Sequence, residues 1–190
     1  LPHTGVDPIV IQAQLVTALQ SVVSRNVNPI ESAVLSVTQV HGGDAYNVIP
    51  DKVTLRGTVR TFKTEVQDQI EAGIQRLCKQ IATGFGAEIH VNYERRYPAL
   101  VNDEDHMAVC LQAAHDVFGE ENVEVGVAPT MASEDFAFML QAKPGCYVNI
   151  GNGEGEDGGC SAHNPSYDFT HDLLALGASY WVKLAHVALG

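Results

Sequence analysis

Helix-type and strand-type segments follow one another in the N-terminal half of the chain in an order that few folds accept. Apolar residues recur at helical spacing from Asp7-Pro8 to about Ser24, and again from Thr64 to about Gly84. Between these helices, residues 33–40 and 53–62 alternate polar and apolar side chains, which predicts two antiparallel strands. Residues 87–97 repeat the alternation. The predicted order is therefore helix, strand, strand, helix, strand.

This order matches the split β-α-β arrangement of ferredoxin-like folds with the first strand missing. In such a sheet the first strand lies inside, so its loss leaves two strand edges without a ladder partner. Each buried backbone group left unpaired costs about 1–3 kcal/mol. We therefore predict that residues 1–98 form an α+β domain lacking its first strand, an arrangement that an isolated domain should not tolerate.

Pro98 ends the third predicted strand, and a second lobe spans residues 99–190. Helices and short strands are predicted there in the order helix 103–118, strand 123–127, helix 133–141, strand 145–150 and helix 172–189. Alternating helices and buried strands are typical of an α/β sandwich with parallel strand pairs.

Charge and apolar content restrict the partners of the chain. Eleven basic residues against 23 acidic ones give a formal charge of −12, which repels phosphate backbones and anionic lipid. Apolar runs such as Ile9-Val10-Ile11 are far shorter than a membrane span. We therefore expect a cytoplasmic protein that binds neither nucleic acid nor membrane. Its four cysteines are widely separated and form no Cys-x-x-Cys pair, which favours reduced thiols.

A rigid turn holds one histidine shortly before the last predicted helix. Asn164-Pro165 fixes the backbone directly after His163, and a glycine-rich loop containing Glu154, Glu156 and Asp157 precedes it. A neutral imidazole suits zinc, manganese, cobalt or nickel, but a catalytic zinc site needs about three protein ligands plus water. Spacing alone therefore favours a hydrogen-bonded loop histidine over a metal ligand.

Five motifs in this chain resemble, in order, those of the dinuclear metallopeptidase and aminoacylase superfamily, in its hippurate hydrolase and auxin-conjugate amidohydrolase branch. The motifs lie at Pro2 to Ile9, Asn47 to Pro50, Gly57 to Phe62, Ser133 to Phe136 and His163 to Phe169. The resemblance covers essentially the whole chain. It implies that residues 1–98 are a lid and dimerisation domain, and that residues 99–190 are the C-terminal part of a metal-dependent catalytic domain.

The resemblance also implies an activity: hydrolysis of the amide bond in N-acyl amino acids or similar conjugates, with two divalent metal ions per complete site (zinc, manganese, cobalt or nickel). In the family, His163 would bind a metal ion, Asn47 and Arg60 would bind the substrate carboxylate, and Ser133 would contact the substrate. The remaining metal ligands and the general base belong to motifs that this sequence does not contain. We therefore assign no catalytic residue here, and we expect a homodimer whose site is completed by the N-terminal part of the same protein.

Other interpretations of these residues stay open. Arg60 is also consistent with a solvated strand arginine that pairs with an acid, and Asn47 with a turn residue. Ser133-Glu134-Asp135 is also typical of a helix N-terminus. A structural zinc site at Cys160 and His163, completed by Cys146 or His171, is less favoured because no second closely spaced pair exists. The alternative function is a catalytically silent dimerisation or binding module.

Overall fold

The structure of the chain, a computed structural model, describes residues 1–153, 159–160 and 162–190. It divides into two units, Leu1–Ala99 and Leu100–Gly190, which are described here one at a time. The sequence predicts a boundary after Pro98, and the observed division follows Ala99. Helices occur in both units and a sheet in the first, so a mixed α and β structure is confirmed.

Helix α1 (Pro8–Asn26) begins at the capping residue and proline that the sequence predicts. Asp7 Oδ1 accepts a hydrogen bond from the Ile9 backbone N–H at 2.8 Å, and Pro8 occupies the first turn, where a missing N–H costs nothing. The buried residues recur every three or four positions: Ile11, Leu15, Leu19 and Val22. The helix ends slightly later than predicted, at Asn26.

Strands β1 (Ala33–His41) and β2 (Thr54–Thr61) form the predicted antiparallel pair. Their register shifts between Val37 and Gln39, which leaves Thr38 as the extra residue of a β-bulge. Gly57 lies opposite Val37 at this bulge, and a Cβ atom on Gly57 would overlap the Ser36 carbonyl oxygen. The glycine is therefore required by the close approach of the two backbones.

Helix α2 (Thr64–Phe85) completes the core of the first unit and ends at Gly86, which adopts the left-handed conformation with φ +64°. Val22 and Ile70 are almost fully buried between α1 and α2. A Cβ atom on Gly73 would lie 3.0 Å from Val22 Cγ1, so this glycine lets the two helices approach closely. The core cluster also contacts both strands through Ala33, Leu35, Val37, Leu55 and Val59.

The third predicted strand, residues 87–97, is not a strand in the structure. The alternation of apolar and polar residues still sets which side chains are buried. Ile89 and Val91 pack against the core cluster, while Glu88 and His90 are exposed. Within the described part of the chain, however, residues 88–96 make no backbone-to-backbone hydrogen bond. A strand requires a ladder partner as well as an apolar face, and this segment has only the face.

The second unit contains helices α3 (Glu104–Phe118), α4 (Phe136–Ala142) and α5 (Asp172–Leu189). Asp103 caps α3 by accepting the His106 backbone N–H at 3.1 Å. Helices α3 and α5 pack together through stacked Phe118 and Tyr180 rings, whose centroids lie 6.1 Å apart. All three helices are close to their predicted positions, although α4 begins at Phe136 rather than Ser133.

The two strands predicted for the second unit are wrong, since no strand is assigned at residues 123–127 or 145–150. Val125 and Val127 are about two-thirds exposed, and Val148 and Ile150 are about two-fifths exposed, so neither segment is a buried strand. The backbone at 145–147 pairs instead with the chain just before α3. Asp103 N–H donates to Gly145 O at 3.0 Å, and the Asn102 side chain bonds twice to the Tyr147 backbone.

Helix α5 is apolar on two faces. One face packs in the unit through Tyr180, which is 2% exposed, whereas the other exposes a stripe of apolar side chains. The stripe, called here the α5 stripe, consists of Leu174, Ala178, Trp181, Val182, Ala185 and Leu189. Within the stripe, the Trp181 side chain is 65% exposed, which is unusual for the largest apolar side chain. Among the described residues, no helix is both long and apolar enough to cross a membrane.

Replacing Gly57 by alanine should destabilise the chain by about 1–3 kcal/mol, because the new methyl group must displace the Ser36 backbone at the bulge. Urea unfolding followed by circular dichroism measures the effect. Gly5→Ala is the matched control, since a Cβ atom there meets nothing within 4 Å. Equal stability of the two variants would contradict this account of the bulge.

Candidate metal and substrate site

The four residues singled out from the sequence lie in different units. Asn47 and Arg60 belong to the first unit, and Ser133 and His163 belong to the second. Each pair is therefore described within its own unit. The predicted acidic loop contains residues 154–158, which lie outside the described residues.

His163 has the most unusual backbone of the four. Its φ angle is +72°, and it is the only non-glycine residue of the described ranges with a positive φ. The left-handed conformation costs an L-residue with a Cβ atom roughly 1–2 kcal/mol. Its side chain is exposed in the turn that precedes α5. Strain of this kind persists only where the surroundings impose it, and it concentrates at functional sites.

Hydrogen bonds hold the turn after His163. Asn164 Oδ1 accepts the Ser166 backbone N–H at 2.9 Å, and Asn164 O accepts the Tyr167 N–H at 2.9 Å. The first bond forms an Asx-turn and the second closes a β-turn, and both agree with the turn predicted from Asn164-Pro165. The imidazole is thus presented to solvent by a backbone that has little freedom of its own.

Sequence reasoning missed Asn152, which binds the far side of this turn. Its Nδ2 donates to Asp168 O at 2.8 Å, and its Oδ1 accepts the Thr170 backbone N–H at 3.0 Å. The Thr170 hydroxyl group donates to Asn152 O at 3.1 Å. The sequence offers one indication of this role: Asn152 is a single amide side chain between Gly151 and Gly153, in a segment interpreted as a loop.

A metal ion fits the chemistry of His163, but the described residues do not form a complete metal site around it. An accessible imidazole is a good ligand for zinc and similar ions. In the part of the chain that the structure describes, however, no group of three or more His, Cys, Asp or Glu side chains is placed to hold a metal ion. Among the described residues, His163 is therefore not part of a group that could hold a metal ion by itself.

Glu134 holds the start of α4 through two hydrogen bonds. Glu134 Oε1 accepts the Phe136 backbone N–H at 3.3 Å, and Glu134 Oε2 accepts the Tyr147 hydroxyl group at 3.0 Å. The Phe136 amide lowers the pKa of Glu134, with Asp135 and Tyr147 acting in the same direction, and the bond to Glu134 raises the pKa of Tyr147. Glu134 thus links α4 to residue 147, while Ser133 is exposed beside it.

Arg60 and Asn47 lie on the sheet and on the connection that follows β1. Arg60 is half-buried near the end of β2 and lies opposite Val34 of β1. Asn47 is exposed in a turn where the Val48 backbone N–H donates to Ala45 O at 3.3 Å. A half-buried guanidinium group with a rigid strand behind it can bind a carboxylate in bidentate fashion.

The cysteines offer no activated nucleophile among Cys78 and Cys146. Burial raises the pKa of both thiols, to about 11 for Cys146, where the neighbouring Cys110 acts in the same direction. A thiol that stays protonated at neutral pH is a poor nucleophile and a poor metal ligand. All four cysteines are free, which agrees with the reduced thiols predicted from their spacing.

Comparison with known proteins identifies relatives along nearly the whole chain. The N-acetyl-L-cysteine deacetylase of Bacillus subtilis (strain 168) is 40% identical over 183 residues, which cover 96% of this chain and 42% of that protein. The hippurate hydrolase of Campylobacter jejuni is 39% identical over 184 residues, covering 97% of this chain and 47% of that protein. This chain therefore spans less than half the length of these curated relatives.

A solved structure gives the same result for the fold. The Bacillus subtilis YXEP protein, described as a dinuclear metal binding peptidase from the M20 family, superposes with a TM-score of 0.76 at 28% identity. The match covers 97% of this chain and 46% of that one. The model of peptidase family M20/M25/M40 matches residues 10–187. On this evidence the chain belongs to peptidase family M20/M25/M40.

Proposed function

We propose that this chain is part of a metal-dependent amidohydrolase that cleaves N-acyl amino acids, and that His163 binds one of its metal ions. The observation that carries the proposal is the left-handed backbone of His163 in an exposed turn. Glycine would occupy this position without strain. A histidine there is explained if its imidazole is needed, and imidazole is the commonest metal ligand among protein side chains.

The substrate class follows from the relatives. N-acetyl-L-cysteine and hippurate, the compounds in the names of two relatives, each join an acyl group to the nitrogen of an amino acid. Such molecules present an amide bond close to a free carboxylate. An enzyme for this class needs an activated water for the amide bond and a cationic contact for the carboxylate.

Two bound divalent ions, of zinc, manganese, cobalt or nickel, would lower the pKa of a water molecule and polarise the amide carbonyl group. The contribution of this chain to the metal site is the His163 imidazole. We propose that the N-terminal part of the same protein supplies the other ligands and the general base.

Exposed apolar surface in the second unit supports a missing N-terminal part. An apolar helix face is normally buried, yet the α5 stripe is exposed. Residues 123–127 and 145–150 have the composition of buried strands, but they have no ladder partner among the described residues. Strands from the N-terminal part would cover both features, and the chain spans only 42–47% of two relatives.

We further propose that Arg60 and Asn47 bind the substrate carboxylate from a lid, residues 1–98, and that Ser133 contacts the substrate in the catalytic domain, residues 99–190. The β2 strand fixes the Arg60 backbone, and the planar guanidinium group loses less freedom per hydrogen bond than a lysine ammonium group does. Asn47, in an exposed turn, would add a neutral donor. The lid would lack its first strand, which the N-terminal part would supply.

The first test joins the N-terminal part of the Bacillus subtilis N-acetyl-L-cysteine deacetylase to Leu1 of this chain. We expect this chimera to hydrolyse N-acyl amino acids in a metal-dependent manner, whereas the chain alone should be inactive because one imidazole is not a metal site. His163→Gly and His163→Asn in the chimera should lower kcat/KM by more than about a hundredfold, since they remove a direct metal ligand. Hydrolysis of N-acetyl amino acids with and without added zinc measures this.

The stability of the same variants distinguishes loss of a metal ligand from loss of the folded structure. His163→Gly should be at least as stable as the parent, because glycine removes the backbone strain. His186→Gln, an exposed histidine on α5, is the matched control and should remain active. A folded, dimeric chimera without metal-dependent activity would favour the alternative function of a silent dimerisation or binding module.

Arg60→Lys in the chimera should reduce kcat/KM for N-acyl amino acids by about 1–3 kcal/mol equivalent, because lysine cannot make a bidentate carboxylate contact. The same acyl compounds with a carboxamide in place of the carboxylate should lose much less. Arg56→Lys is the control, since this arginine of β2 is exposed and donates to Gln39 Oε1 at 3.5 Å. Equal losses for both classes of compound would rule out the carboxylate contact.

The lid should also mediate a homodimer through β1, β2 and α1. Strand β1 exposes Val34 and Val40, and an apolar strand at a sheet edge favours pairing with a second copy. Light scattering at micromolar concentration should give the dimer mass, and Val34→Lys should shift it toward the monomer. A monomer for the parent chain would contradict the assignment.

A further inference from the structure

We propose that Asn152 is a positioning residue that fixes the orientation of the His163 turn for metal binding. The inference rests on the proposed role of His163 as a metal ligand. Asn152 lies outside the motifs that carry the family resemblance. It is hydrogen-bonded to residues 168–170, which follow the His163 turn.

Asn152 uses both ends of its side-chain amide and its own carbonyl group. The amide donates to Asp168 O at 2.8 Å and accepts the Thr170 N–H at 3.0 Å, while Asn152 O accepts the Thr170 hydroxyl group at 3.1 Å. Asn152 and Thr170 are both half-buried, so competition from water is reduced. This set of bonds is called here the Asn152 clasp.

The clasp fixes the chain between the His163 turn and α5. Asp168 Oδ1 accepts the Phe169 N–H at 2.9 Å, and the Leu173 N–H donates to Thr170 O at 3.2 Å. Residues 168–170 are thereby bonded to Asn152 on one side and to the first turn of α5 on the other. Residues 168–170 are held by Asn152, and residues 164–167 are held by the hydrogen bonds of the Asn164 turn. The backbone of His163 therefore has little freedom to leave its left-handed conformation.

Metal binding depends on this restraint because ligand geometry must be correct before the ion arrives. An imidazole on a mobile turn must be ordered on binding, and the free energy of ordering is lost from the affinity. Groups that orient a metal ligand typically affect metal affinity or activity by about 10–100-fold when they are removed. Asn152 restrains the ligand through the backbone rather than through the imidazole ring.

Asn102 provides a matched control in the same unit. Its side-chain amide also makes two bonds to backbone atoms, donating to Tyr147 O at 2.9 Å and accepting the Tyr147 N–H at 2.9 Å. It too is half-buried, and it acts at the other end of the segment that leads to Asn152. Asn102→Ala and Asn152→Ala therefore remove comparable bonds, but only the second should affect the His163 turn.

The first measurement is hydrogen exchange by mass spectrometry on the 190-residue chain without metal. Asn152→Ala should accelerate exchange in peptides covering residues 162–170 by at least about tenfold, since both side-chain hydrogen bonds of Asn152 are lost. Asn102→Ala should leave those peptides unchanged. This measurement needs no activity, and unchanged exchange at residues 162–170 in Asn152→Ala would overturn the clasp.

The second measurement is zinc titration of the metal-free chimera, followed by the return of activity. Asn152→Ala should need about tenfold more zinc than the parent, with kcat recovered at saturating metal. Asn152→Asp, which keeps the acceptor for Thr170, should fall between the two, and Asn102→Ala should match the parent.

If His163→Gly alters zinc dependence but Asn152→Ala behaves like Asn102→Ala, the positioning role fails and the proposed function stands. If His163→Gly has no effect on zinc dependence, the proposed function itself fails.

Discussion

Backbone hydrogen bonding is the constraint on which both units depend. In the first unit the apolar faces pack around a core cluster, but the extended backbone beside it at residues 88–96 has no ladder partner in the described ranges. Ile89 and Val91 still pack against the core, and Arg95 bonds to Asp68 of α2 at 2.7 Å. Side chains therefore hold this segment in place of a ladder. Buried backbone groups are almost always paired, so surface of this kind is suited to receive another strand.

The strain at His163 is balanced locally rather than by the core. A left-handed non-glycine residue costs about 1–2 kcal/mol, while a hydrogen bond contributes about 0.5–1.5 kcal/mol net. The bonds made by Asn164, Asp168 and Asn152 are together sufficient to offset that cost. The turn can thus be rigid although its side chains are exposed. In the proposed metal site, an imidazole held in this way would lose little entropy on binding.

Periodicity and capping predict the helices and the β1–β2 pair because these depend on local sequence. Asp7 and Pro8 mark the start of α1, and Gly86 marks the end of α2. The strands predicted at 87–97, 123–127 and 145–150 fail because pairing depends on partners distant in the chain, which no local pattern contains. The turn at His163 is indicated by Asn164-Pro165, but its φ angle cannot be deduced from spacing, and its metal-binding role stays a prediction from the family resemblance. Asn152 was missed because its partners lie 16–18 residues away.

The charge of the chain limits how it can recognise an anionic substrate. With 23 acidic and 11 basic residues, the overall field repels carboxylates. Salt reduces this repulsion beyond about 10 Å at 0.1 M ionic strength, so long-range steering contributes little. Binding of the proposed N-acyl amino acid would then have to come from donors at contact distance, where one guanidinium group can outweigh the distant field. Arg60 meets this requirement because it is half-buried on a strand whose register is fixed by the Thr38 bulge and Gly57. The glycine that allows the backbones to approach and the arginine proposed to bind the carboxylate are thus two parts of one local structure.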